Sequence, residues 1–232
     1  MNELTINPIA YIHTDFPTKF GIPRQSGLTP HLLAEIVFEP SYRDANALRG
    51  LGGYSHIWLL WGFSEIAQRE SFSPMVKPPR LGGNKRMGVF ATRSPFRPNP
   101  IGLSVVKLEQ IESRPRVGQV LIISGADLMN GTPIYDIKPY IPYADCVPNA
   151  VGGFAEERKS YVLDVDFPKN LLEQIPYGKR EGLIEALRQD PRPAYRNDPN
   201  ERYGFYFADH DVRFTVCDGM LHVVEIVPAE KG

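Results

Sequence analysis

Cysteine, long apolar runs and an excess of either charge are all scarce in this chain, and each shortage excludes something. The two cysteines, Cys146 and Cys217, form no C-x-x-C pair. They leave room for one disulfide without implying it, and a reduced, cytoplasmic setting is the expectation. The most apolar run, "HIWLLWGF", is far too short to span a bilayer. The start, "MNELTINPIAYIHT", has no basic stretch followed by an apolar core, so it does not read as a signal peptide. Lys and Arg number 26 against 27 Asp and Glu, a net charge of −1, so no global basic field announces nucleic acid. The five histidines include no H-x-x-x-H pair and none at zinc spacing from a cysteine, which argues against a metal site. A G-x-S-x-G elbow and a Walker loop are also missing.

What is present reads as strands and turns first, then a mixed region. "LTINPIAYIHT", "HLLAEIVFEP", "YSHIWLLWGFSEI", "RMGVFAT", "IGLSVVKLEQIE", "GQVLIISGAD" and "PIYDIKPYI" are strand candidates. "SYRDANALRG" reads as a short helix stopped by Gly50. The glycines of "GLGGYS" follow that helix and precede a strand, the wrong order for a dinucleotide crossover. Asn130-Gly131 fits a tight hairpin turn. Many short strands with Gly/Pro turns point to a barrel or sandwich. "PYADCVPNAVGGFAEERKS" reads as a linker. Beyond it, "YVLDVDF", a helical stretch broken near Pro176 and Gly178, and "YGFYFADHDVRFTVCDGMLHVVEIVP" make a small α+β domain. Trp58 and Trp61 read most simply as core, and His56 as a core or half-buried residue.

One charge pattern stands apart. From Ser71 to Leu108 there is no Asp or Glu, while Lys77, Arg80, Lys85, Arg86, Arg93, Arg97 and Lys107 all fall there. Much of this window is loop, including "RSPFRPNP". Prolines reduce the entropy lost in fixing its arginines, which suits preorganised binding of an anion. A solvated basic surface explains the same residues equally well. Asp127 suits binding of ribose hydroxyls or the start of a turn. Asp136 and Lys138, two apart on a strand, share a face as a surface ion pair or as part of a polar pocket. "DPRPAYR" repeats the device of arginines between prolines, with Arg192 and Arg196.

Several stretches together go further. "PRQSG", "YSHIWLLWGF", "PPRLGGNKRMGVFATRSPFRPNPIGLS", "DLMNGTPIYDIKPYIP" and "DPRPAYR" resemble the TrmO (TsaA, YaeB) family of bacterial tRNA methyltransferases over nearly the whole chain. Departures are small: Ser26 where proline is expected, and Asn130 where aspartate is common. The resemblance implies a mainly β fold, a single β-barrel domain over residues 1–148 holding S-adenosylmethionine, with a small α+β domain over 155–232. It also implies a homodimer acting on threonine tRNA. The reaction implied is methylation of N6 of threonylcarbamoyladenosine, just 3′ of the anticodon.

By the same resemblance, Pro23, Arg24, Gln25, Ser64, Glu65, Arg93, Leu103, Gly125, Ala126, Asp127 and Leu128 line the cofactor pocket. Asn99, Asp136, Lys138 and Tyr140 are assigned to the reacting end, with Asp136 the acceptor of the N6 proton. Lys85, Arg86 and Arg97 are candidates for RNA phosphate or the threonyl carboxylate, because guanidinium groups bind such anions in bidentate fashion. The alternative is a non-catalytic module that binds S-adenosylmethionine or RNA and regulates a partner. Turnover separates the two.

Overall fold

The computed structural model describes residues 4–66, 71–78, 85–158, 161–192, 198 and 201–229. Six strands build the first unit: β1 (Ala10–His13), β2 (Leu33–Phe38), β3 (His56–Gly62), β6 (Ile101–Arg114), β7 (Gly118–Ser124) and β8 (Pro133–Pro139). A short ribbon, β4 (Met75–Val76) with β5 (Met87–Gly88), lies between β3 and β6 in sequence. The hydrogen-bonded order is β1-β2-β7-β6-β3-β8, and β8 pairs back to β1 through Ala10 with Ile134 and Tyr11 with Pro133. Alternation decides which side chains meet inside. Ile12, Ile36, Ile57, Leu59, Leu121, Ile123 and Ile134 are fully buried together. Each such side chain contributes about 1.5–3 kcal/mol over leaving it in water.

The second unit has a four-stranded sheet: β9 (Asp164–Asp166), β10 (Tyr203–Phe207), β11 (His210–Cys217) and β12 (Met220–Pro228), ordered β10-β11-β12-β9. Helix α1 (Pro142–Asp145) lies before this unit, and α2 (Lys169–Leu172) and α3 (Arg180–Arg188) belong to it. Leu183, Ala186 and Leu187 sit three and four apart on one face of α3 and are buried against the sheet.

Four local readings are corrected. "SYRDANALRG" forms 3-10 turns at Pro40–Tyr42 and Ala45–Leu48, not an α-helix, and Asp44 separates them by capping the start of the second through the Asn46 N–H. Val89, Phe90 and Ala91 form a 3-10 turn, so only Met87 and Gly88 of "RMGVFAT" are strand. Asn130-Gly131 is not a hairpin, since β7 and β8 are not neighbours. The Gly131 N–H instead bonds the Ile12 carbonyl, at φ +78. Trp58 is not core: it stands on the outer face of β3, while Trp61 is inside.

The segment from Thr14 to Leu32 leaves the first unit and packs into the second before returning as β2. Phe16 and Leu32 belong to the second core, and Phe16 meets the rings of Phe205 and Phe207 at 6.3 and 5.3 Å. Gly182 of α3 makes room for this approach: a side chain there would lie 2.7 Å from Leu32. Lys179 pairs with Asp15, and His31 pairs with Glu185 at 2.6 Å.

Candidate functional site

Asp127 is the centre of the most distinctive polar cluster. It follows the end of β7 through Gly125, whose φ of +75 turns the chain. Ser104, the inward residue of β6, donates its hydroxyl to Asp127 Oδ1 at 2.6 Å. Trp61 in turn donates its indole N–H to Ser104 Oγ at 3.0 Å. Burial pushes the Asp127 carboxyl above the usual carboxylate value, against the pull of the Ser104 hydroxyl, backbone N–H groups including that of Ser26, and the Arg93 charge. The loop Pro23–Ser26 closes over this end. Gln25 accepts from the Arg93 guanidinium, and the Gly27 N–H bonds the Gly125 carbonyl at 2.8 Å. A Cβ on Gly125 would lie 3.3 Å from the Gly27 backbone, so the two loops touch through glycines.

Gln25, Arg93, Gly125 and Asp127 are therefore together. Pro23, Ala126 and Leu128 are buried around them, the last two within the first core. Arg24 turns the other way and donates to the carbonyls of Asp190 at 3.0 Å and Arg192 at 3.2 Å. Ser64 and Glu65 are exposed just beyond β3.

The proline-rich loop divides its two arginines. Arg97 folds back, donating to the Thr92 carbonyl at 2.6 Å and the Val89 carbonyl at 3.3 Å, with its guanidinium 5.8 Å from the Phe90 ring centre. It braces the loop from within. Arg93 faces out, toward Gln25 and Asp127. Asn99 is exposed, and its carbonyl accepts the Ile101 N–H at 2.8 Å.

A second group lies on the outer face of β8, β3 and β6. Asp136 sits opposite Leu60, and Leu60 opposite Leu103, so the three form one row across three strands. Lys138, Trp58 and Val105 form the next row. Lys138 Nζ lies 2.9 Å from Asp136 Oδ2, and Asp136 Oδ1 accepts the Ile137 N–H at 2.9 Å. The Tyr140 ring lies 5.8 Å from Trp58 and 6.2 Å from His56. Burial, with Cys146 and Asp145 nearby, pushes its hydroxyl up. Ile101 and Leu103 are 40% and 52% exposed, leaving an apolar strip beside the Asp136–Lys138 pair.

Lys85 and Arg86 are exposed. Arg80 and Arg196 lie outside the described residues. Among those residues no group of three His, Cys, Asp or Glu can hold a metal ion, and no helix is long and apolar enough to cross a membrane. A cavity of about 400 Å³ lies elsewhere, between Phe20 and Tyr206 at the edge strand β10, with Arg202, Arg213 and Asp211 around it. Sequence reading missed Ser104, Trp61 and Asp190. Nothing short of the strand pairing reveals that Ser104 and Asp127, 23 positions apart, share a hydrogen bond.

Comparison with known proteins adds to this geometry. Residues 11–146 match the tRNA-methyltransferase O N-terminal domain and residues 161–229 the TrmO C-terminal domain. The chain is 38% identical to the tRNA (adenine(37)-N6)-methyltransferase of Escherichia coli, over 98% of this chain and 100% of that protein. It is 35% identical to a protein of Pyrococcus abyssi named "Probable S-adenosyl-L-methionine-binding protein", over 65% of this chain and 75% of that one. The crystal structure of TrmO from Pseudomonas aeruginosa superimposes with a TM-score of 0.78 at 33% identity, covering 97% of this chain and 99% of that one.

Proposed function

The chain belongs to the TrmO family, and from that membership we infer that it is an S-adenosylmethionine-dependent methyltransferase acting on N6 of adenine 37 in tRNA. The observation carrying this reading is full-length likeness to a named enzyme together with the cluster at Asp127. The finer reading is that the adenine carries an N6-threonylcarbamoyl group, in threonine tRNA.

The residues present fit the cofactor. A carboxylate half-hidden from water suits the two hydroxyls of a ribose, and Asp127 supplies one. The touching glycines, Gly27 and Gly125, leave a cradle that a side chain would fill. Arg93 offers a guanidinium for the amino-acid carboxylate. Ser64, Glu65 and Leu103 complete the proposed pocket. We read the closed six-stranded order as the barrel that carries it, with domains over 1–148 and 155–232. When bound, S-adenosylmethionine supplies a methyl group on an electrophilic sulfonium.

The chain's own residues position the nitrogen and take its proton. The N6 lone pair is delocalised into the ring and the carbamoyl group, so loss of the N6 proton frees it. Asp136 accepts that proton in this reading, with Lys138 Nζ 2.9 Å from its carboxylate. Tyr140 and Asn99 hold the base or its threonyl group. Holding both reactants in line supplies much of the rate. Lys85 and Arg86 meet phosphates of the anticodon loop, and unstacked bases of such a loop suit aromatic partners. A homodimer belongs to the same reading, and a cytoplasmic setting fits a tRNA substrate.

The test is methyl transfer. Purified protein, S-adenosylmethionine and tRNA from cells lacking this gene are incubated, and the nucleosides are read by mass spectrometry. The expected result is one methyl gained on N6-threonylcarbamoyladenosine with release of S-adenosylhomocysteine. Cofactor bound without any transfer would favour the regulatory module.

A further inference from the structure

Arg24 sits between Pro23 and Gln25, in the middle of the loop that covers Asp127, yet its guanidinium leaves the first unit. It donates to two backbone carbonyls of the second, those of Asp190 and Arg192. Those carbonyls are held in place by an unusual turn. Asp190 follows α3 with φ +52, a left-handed conformation that a non-glycine residue keeps only when its surroundings enforce it. Here they do. Arg192 grips both oxygens of the Asp190 carboxylate, at 2.8 and 2.9 Å, and the Tyr161 hydroxyl donates to Oδ2 at 2.8 Å. Asp190 is only 7% exposed. Burial pushes its carboxyl up, but the Arg192 and Tyr161 bonds outweigh this and hold it below the usual range.

We propose that Arg24 and the Asp190–Arg192 turn form a clamp through which the second unit holds the cofactor loop in its binding shape. The inference rests on reading Gln25, Arg93 and Asp127 as the cofactor site. It makes Arg24, Asp190 and Arg192 positioning residues. One terminal nitrogen of the Arg24 guanidinium meets both carbonyls and so fixes the backbone at Pro23–Gln25. That in turn fixes the Gln25 side chain on Arg93. The rest of the segment is anchored the same way, by Phe16 and Leu32 in the second core and by Asp15 and His31 on α3 and the turn before it. The second unit thereby shapes the site through the loop it holds. Linkage makes the effect reciprocal: if the clamp favours cofactor binding, bound cofactor stabilises the clamp equally.

The experiment compares full-length wild type, Arg24→Ala, Asp190→Ala and the double variant. S-adenosylmethionine affinity is measured by calorimetry, and hydrogen exchange is followed at residues 188–192 with and without the cofactor. Each single variant is expected to bind the cofactor about tenfold more weakly, and the double variant no more weakly than either single. For Asp190→Ala the KM for the cofactor rises while kcat holds. Bound cofactor slows exchange at 188–192 in wild type and not in Arg24→Ala. That last comparison stands alone should Asp190→Ala fail to fold. An Asp190→Ala protein with wild-type affinity, or losses that add in the double variant, overturns the clamp and makes Arg24 a direct cofactor contact. Wild type that binds no S-adenosylmethionine overturns the cofactor reading itself.

Discussion

Gly102 and Trp61 face each other across the β3–β6 ladder, and the indole ring fills the space that a side chain on Gly102 would need. A Cβ there would lie 2.2 Å from the ring. The packing matters for the site because the same indole donates to Ser104, and Ser104 to Asp127. Gly102→Ala is expected to cost about 1–3 kcal/mol, the usual range for overpacking a filled core. Chemical denaturation checks the stability, and cofactor titration checks that affinity falls with it as Ser104 shifts. Unchanged stability would mean that the indole repacks freely.

Asp127 sets stability against function. Its folded carboxyl value lies above the unfolded one, so the native state holds its proton more tightly than the unfolded chain. Stability from this group therefore falls as pH rises from the unfolded value through the folded one. Asp127→Asn keeps an oxygen for the Ser104 hydroxyl and removes the buried charge. At neutral pH it is expected to be at least as stable as wild type, yet to bind S-adenosylmethionine more than tenfold more weakly, as loss of a charged acceptor predicts. Thermal melts and calorimetry on the same sample read both.

Asp136→Asn separates chemistry from binding. If Asp136 takes the N6 proton, kcat falls by about 10²–10⁴-fold while cofactor affinity holds, because the group acts on the N6 proton and not on the cofactor. Single-turnover methylation measures the step. Near-normal turnover would remove the role from Asp136.

The basic residues between Ser71 and Leu108 differ in what they do. Arg97 bonds carbonyls of its own loop, so Arg97→Ala loosens the loop and lowers its protection from proteolysis. Arg86→Ala and Lys85→Ala remove exposed charges only. Each is expected to reduce the salt slope of tRNA binding by about 0.7, the value per phosphate on a single strand. Filter binding across a salt series gives the slopes. An unchanged slope in both would move the phosphate contacts elsewhere.

His31 ties the segment of residues 14–32 to α3 in a pH-dependent way. Its hydrogen bond to Glu185, aided by that carboxylate's charge, raises its value above the ordinary 6.5. The stabilisation is complete below 6.5 and is lost as pH rises through the raised value. Wild type and His31→Asn should differ in melting temperature at about pH 5.5 and converge at about pH 8.5.

Much of the first unit was legible because β-structure writes a period of two. The strands at 33–38, 101–114, 118–124 and 133–139 stand out as apolar or alternating runs between turn residues, and the break at Pro176 and Gly178 marks the gap between α2 and α3. The glycine- and proline-rich turns were less so. Val89–Ala91 carries strand-forming residues, but the Thr92 hydroxyl and Arg97 bond back to the Val89 carbonyl and curl it into a 3-10 turn. Local propensity lost to side-chain hydrogen bonds.

The sequence by itself determined where the positive charges gather, the strand-forming runs, and, through long shared motifs, the family. Asp136 and Lys138 were placed on one face by spacing alone, since two positions along a strand return to the same side. What only the tertiary structure decided is which distant residues meet. Pairing of β6 with β7 sets Ser104 beside Asp127, and the excursion of residues 14–32 sets Arg24 on the carbonyls of Asp190 and Arg192. Both depend on contacts between segments far apart in the chain. No periodicity records such contacts, because they exist only once the strands have paired and the two cores have closed.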